Sequence, residues 1–153
     1  MIAADAIADR VHRLVIRVYY EDTDAAGIVY HANYLKFAER GRTELLRQLG
    51  FGQEEMRRTT GLAFAVRHCA ADYLRPAILD DELTVATRLL ELRGASLAVE
   101  QRIERAGDEL ARLTLRLACI GPGGRPARLP EPLRAALAPF APRSLRIDTS
   151  GEP

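Results

Sequence analysis

The chain has 153 residues, with 22 basic and 21 acidic side chains, a net charge of +1 and 48% apolar residues. That length and apolar content suit one domain that buries its core without disulfides or metal, and the dispersed, nearly balanced charge gives no global pull toward nucleic acid or an anionic membrane. Cys69 and Cys119 form no C-x-x-C pair, and His12, His31 and His68 lie far apart. Metal-site spacing is therefore missing, and a reduced, cytoplasmic protein is expected. No window approaches the ~18 apolar residues of a membrane span, and the N-terminus lacks a signal-peptide core. Peripheral contact with a membrane stays compatible with this composition.

In chain order, residues 14–20 (LVIRVYY) are β-branched and aromatic, as a strand requires. The acidic stretch YEDTDAAGIVYHANY follows as a loop. From His31 to Leu49, Tyr34, Leu35, Ala38, Leu45, Leu46 and Leu49 recur at helical spacing, and Gly50 stands where a helix stops. Residues 53–60 suit a short second helix ended by Gly61. Four strands are then expected, over 62–73, 83–92, 95–105 and 110–120, with turns at Arg93-Gly94 and Ala106-Gly107-Asp108. Connections this short hold no crossover helices, so the sheet should be antiparallel, its last four strands a meander. Seven of the eight prolines lie beyond Gly121. Residues 131–137 suit a short helix, within one domain over 1–140 and before a disordered tail, 141–153.

A long helix beside one antiparallel sheet buries its apolar stripe on that sheet, an α+β layer. The other face and the edges need cover, for which a second copy serves. At the helix N-terminus, unpaired N–H groups and the positive end of the dipole favour a developing negative charge. Gly27 permits a sharp turn that folds the carboxylates of Glu21, Asp22 and Asp24 back toward that end, where Asn33 or Asp24 would serve as cap. Residue chemistry leaves two readings open here: a solvated acidic turn, or a carboxylate acting as nucleophile or general base on a carbonyl. On the helix, Glu39–Arg42 and Arg40–Glu44 are spaced for ion pairs, and Arg42 falls on the apolar stripe, where a charge requires a partner. The two cysteines read as small core residues.

The stretch VYYEDTDAAGIVYHANYLKFAERGRTELLR, with FAVRHCAADYLRPAILDDEL and LRGASLAVEQRI after it, closely resembles the signature of the hydroxybenzoyl-CoA thioesterase branch of the hot-dog superfamily. In particular it is similar to the YbgC-like acyl-CoA thioesterases encoded with the Tol-Pal envelope system, from about Val15 to Ile120. The resemblance implies a hot-dog fold, an antiparallel sheet wrapped around one long central helix. It places the catalytic carboxylate on Asp24, the turn on Gly27, and the backbone N–H that polarises the thioester carbonyl on His31, beside Tyr30. By the same analogy, the acyl-CoA substrate would contact Val66, Arg67, Arg93, Gly94 and Ser96. It implies a homodimer or homotetramer with active sites between subunits, and neither metal nor cofactor.

Two alternatives stand beside hydrolysis. A hot-dog hydratase would need a paired histidine and aspartate, for which no second motif is present. A non-catalytic acyl-CoA binder or Tol-Pal-associated partner of the same fold would have no need of Asp24.

Overall fold

The computed structural model of the chain describes residues 7–142. Six strands form one sheet: β1 (Ile7–Ala8), β2 (Val11–Arg17), β3 (Ala63–Tyr73), β4 (Glu82–Leu92), β5 (Ser96–Arg105) and β6 (Asp108–Ile120). Among the described residues three α-helices accompany them, α1 (Asn33–Gln48), α2 (Gln53–Thr60) and α3 (Glu131–Leu137). All neighbouring strands are antiparallel, in the order β1-β2-β4-β5-β6-β3.

The expected meander holds for β4, β5 and β6 but not for β3, which pairs with β6 at the far edge instead of with β4. Pro76 interrupts the chain after β3, and residues 74–81 carry it across the end of the sheet. There the Leu74 and Arg75 N–H groups donate to Leu110 O, and Val18 N–H donates to Asp81 O. Alternation tells which face a strand buries, whereas the partner is chosen by which neighbour completes the core. A second shift concerns the strand expected over 14–20. Asp22 accepts the Tyr19 N–H through Oδ2 at 2.8 Å, which curls residues Tyr20–Asp22 into a 3-10 turn off the sheet, so β2 ends at Arg17.

Helix α1 lies across the sheet on Tyr34, Phe37, Ala38, Leu45 and Leu46, all buried. Phe37 is fully enclosed, a transfer gain of roughly 2–3 kcal/mol. Leu35, placed on the stripe by spacing, is exposed. The helix comes closest to the sheet at Gly41, where an added β-carbon would sit 2.7 Å from Val85 Cγ1 and 3.1 Å from Gln101 Nε2. A side chain there would push the layers apart.

At the next residue, Arg42 is buried as the stripe implied and has the Glu39 partner expected for it. Its second partner comes from the sheet: Arg42 Nη1 donates to Gln101 Oε1 at 2.8 Å, while Gln101 Nε2 donates to Ala38 O and Thr87 Oγ1. Buried charge is thereby hydrogen-bonded on all sides named. Glu44 pairs with Arg47 rather than Arg40, whose guanidinium lies over the Phe37 ring instead.

Beyond the sheet, α3 buries Leu133 and Leu137, and Leu129 N–H donates to Gly94 O at 2.9 Å, tying this segment to the β4–β5 turn. Ala141 is also buried, so packing continues past residue 140; the rest of the expected tail, 143–153, lies outside the described residues. Cys119 is buried and its thiol pushed up by burial. Cys69 is exposed, against the core expectation, because β3 is an edge strand.

Candidate active site

The acidic stretch folds as a small closed loop. Thr23 and Val29 bridge across it, Asp24 N–H donates to Ile28 O, and Gly27 N–H donates to Asp24 O at 3.0 Å. Gly27 has φ of +81°, a conformation that side-chain-bearing residues rarely adopt, and nothing stands within 4 Å of where its β-carbon would be. Glycine is thus required by the backbone and not by crowding. Within the turn, Asp24 Oδ1 accepts the Ala26 N–H at 2.8 Å, which fixes the carboxylate; Oδ2 has no partner among the described residues.

The three carboxylates that composition alone left equivalent now differ. Glu21 is exposed and Asp24 half-buried, whereas Asp22 is buried and holds the loop to the helix. Besides the Tyr19 bond, its carbonyl accepts both Tyr30 N–H and the Asn33 side-chain amide at 2.8 Å. Asn33 is therefore committed to Asp22 and Asp24 to its own turn, so neither caps α1 as anticipated. Among the described residues the helix has no side-chain cap. Its first turn is tightened by short-range bonds from Asn33, Tyr34 and Leu35 to Tyr30, His31 and Ala32. Among the described residues, the His31 and Ala32 N–H groups meet no acceptor and stand at the positive end of the helix.

Around this end, Tyr73 OH donates to His31 O at 3.1 Å, joining the last residue of β3 to the mouth of α1. The His31 ring makes edge contacts with Tyr30 and Tyr73, at 4.6 and 6.0 Å between centroids, and forms no hydrogen bond among the described residues. Tyr34 OH accepts Ala77 N–H, and burial raises its phenol above the usual range. Sequence spacing offered no signal for Asn33 or Tyr73, since each acts through a contact 11 or 42 residues away.

Asp24, Gly27, Tyr30 and His31 are thus gathered at one end of the molecule, and the remaining candidates at the other. Val66 belongs to the cross-strand row Val66–Leu117–Leu97, and Tyr73 to the row Tyr73–Ala111–Ile103. Six residue steps along β5, from Leu97 to Ile103, separate these rows, roughly 20 Å at ~3.3 Å per residue. Between Val66 and His68 the ladder is irregular, leaving Arg67 outside it. Arg93, Gly94 and Ser96 close the β4–β5 turn at this same end, with Arg93 N–H donating to Ser96 O. Arg128 lies against Gly94, its guanidinium about 3.5 Å from where a β-carbon would sit, and Arg134 donates to Arg93 O.

Between α1 and this end of the sheet lies a cavity of about 250 Å³, walled chiefly by leucine, valine and phenylalanine side chains and by the Arg42–Glu39 pair. No residue of the acidic loop lines it.

An antiparallel sheet wrapped on one long helix is the hot-dog arrangement. A family model described as the thioesterase-like superfamily matches residues 18–137, and the chain belongs to that superfamily. More narrowly, it is similar to the acyl-CoA thioesterase YbgC of Haemophilus influenzae, at 47% identity over 122 residues, 79% of this chain and 90% of that protein. Among solved structures, a probable thioesterase from Bartonella henselae is 42% identical with a TM-score of 0.75, covering 78% of this chain and 99% of that one. A Thermus thermophilus thioesterase complexed with coenzyme A and Zn is 30% identical with a TM-score of 0.72, over 86% and 93% of the two chains. Among the described residues, no helix is long and apolar enough to cross a membrane.

Proposed function

We propose that this chain is an acyl-CoA thioesterase, hydrolysing an acyl-coenzyme A to free acid and coenzyme A, with Asp24 as its catalytic carboxylate. The class of activity rests on the superfamily and on the YbgC relative. What supports the assignment of roles is that Asp24, held in its turn by the Ala26 N–H with Oδ2 free of partners among the described residues, belongs to the loop that leads into the uncapped N-terminus of α1.

The thioester carbonyl oxygen would lie on the His31 N–H, where the charge of a tetrahedral intermediate is stabilised by roughly 3–4 kcal/mol, the worth of one such donor. Asp24 then acts in one of two ways. As nucleophile its Oδ2 attacks the carbonyl carbon, the C–S bond breaks, and coenzyme A leaves as thiolate; water next hydrolyses the mixed anhydride and restores the carboxylate. As general base it takes a proton from water, which attacks directly. Single turnover in heavy-oxygen water tests the first route: label found in Asp24 establishes an anhydride opened by water at the Asp24 carboxyl carbon, whereas label in the released acid alone places water's attack at the acyl carbon. The His31 imidazole, with ring contacts only, is assigned no proton transfer.

The Val66 row and the Tyr73 row, which meets His31, stand roughly 20 Å apart along one chain, so a complete site takes two copies. Among the described residues the outer edge of β3 is unpaired, and antiparallel pairing of two such edges would bring the Val66 end of one copy toward the Tyr73 and His31 end of the other. We therefore assign a homodimer, or a tetramer built from it, with sites at the seam. Placement in the hydroxybenzoyl-CoA branch and association with Tol-Pal rest on the motif resemblance alone. Two unpaired cysteines suit a reducing compartment, hence the cytoplasm.

The test is an acyl-CoA panel with wild type and Asp24→Asn side by side. Asparagine keeps an oxygen for the Ala26 N–H and so preserves the turn, while activity should fall at least 100-fold. Equal activity of the two proteins would defeat the mechanism; a wild type that turns over no acyl-CoA would favour a non-catalytic binder.

A further inference from the structure

The cavity has an open side and a closed one. At Val66 and Glu39 its walls are about half exposed, on the flank of α1 next to the β3 edge; at Leu137 exposure is 2%. Leu137 and Phe140 come from the C-terminal segment, which is pinned by the Leu129–Gly94 hydrogen bond and by burial of Leu133. Two cross-strand rows, Leu89–Val99 and Leu97–Leu117, make the sheet wall. Arg42, the strongest polar group in the lining, is already engaged by Gln101 and Glu39, so it offers little to a polar guest.

We infer that this cavity takes the aliphatic tail of the acyl group and that Leu137 and Phe140, at its closed end, set the upper limit of chain length. The inference rests on the thioesterase reading and adds the substrate class to it. Apolar cavities stay dry and take apolar guests; one of ~150 Å³ holds six-carbon benzene, so about 250 Å³ scales to on the order of ten carbons. The mouth faces the edge at which a second copy would supply Asp24, so a chain lying in the cavity points its thioester toward the partner's carboxylate. Each methylene that enters should raise kcat/KM about fourfold until Phe140 is reached, after which the gain stops.

The measurement is kcat/KM for acyl-CoAs from two to sixteen carbons, with wild type, Phe140→Ala and Phe140→Trp; Phe140 is only partly buried, which suits both replacements to folding. Wild type should level off near ten carbons. Phe140→Trp should lower the ten-carbon to four-carbon ratio about tenfold, and Phe140→Ala should move the plateau at least two carbons longer. Calorimetric binding of butanoate and decanoate to the same three proteins reads the cavity without turnover. Hydrolysis with a length profile that neither variant moves overturns the inference and leaves the thioesterase reading standing. No hydrolysis, but decanoate binding that weakens in Phe140→Trp, supports the cavity and overturns the thioesterase reading.

Discussion

Replacing Gly41 by alanine tests how closely α1 is seated on the sheet, which positions both the loop end and the cavity. The new methyl carbon would stand 2.7 Å from Val85 Cγ1, against the 3.5–4.0 Å at which carbon atoms attract, and Val85 is fully buried and β-branched. An overlap of roughly 1 Å must be relieved by moving the helix outward, and a gap of that size forfeits a quarter to a half of each contact it opens. Overpacking of this kind costs about 1–3 kcal/mol, and alanine returns up to about 1 kcal/mol of helix propensity. The net is a loss of roughly 1–2 kcal/mol, a fall in Tm of roughly 2–8 °C for a chain of this size. Chemical and thermal denaturation at one fixed protein concentration reads it. Adding Val85→Ala should recover part of the loss, with a coupling of at least ~0.5 kcal/mol. Gly41→Ala as stable as wild type, or strictly additive with Val85→Ala, would refute the close approach.

Stability should also depend on pH through His12, which is buried with neither ring nitrogen hydrogen-bonded among the described residues. Burial lowers its pKa from 6.5, against smaller opposing effects of Glu44 and the neighbouring Gln48. The unfolded chain therefore binds the proton more readily, so this contribution is complete above pH 6.5 and is lost as pH falls below it toward the folded value. The slope is at most ~1.4 kcal/mol per pH unit, and denaturant midpoints from pH 7.5 to 5 should flatten in His12→Leu. At the β5–β6 hairpin, Ala106 and Gly107 have φ of +49° and +87°, a turn that favours Asn-Gly. Ala106→Asn should raise stability by about 0.5–1 kcal/mol, read as Tm. Asn33→Ala, which removes the amide held by Asp22 O at 2.8 Å, should cost about 1 kcal/mol and lower kcat with little change in KM if the loop positions Asp24; an unchanged kcat would break that link.

Much of this was readable from residues alone because it depends on near neighbours in the chain. Helix α2 and α3 fall on the expected residues, Gly50 and Gly61 end their helices with positive φ, and the Ala106-Gly107 hairpin joins β5 to β6. Periodicity, turn chemistry and capping act over a few residues, so a linear reading captures them. The acidic stretch was legible as the mouth of α1, and the motif drew Asp24, Gly27 and His31 out of it.

What tertiary structure decided are relations between residues distant in the chain. β3 chose β6 over β4, Gly41 met Val85 across the layers, and Asn33 was drawn to Asp22 O and so left α1 uncapped. Asp22 and Asp24, two residues apart and alike in sequence, parted because one turned inward to hold the loop and the other kept an oxygen unpaired. No local pattern distinguishes such outcomes, because burial and hydrogen bonding are settled only when the whole core closes and each polar group must find its partner there.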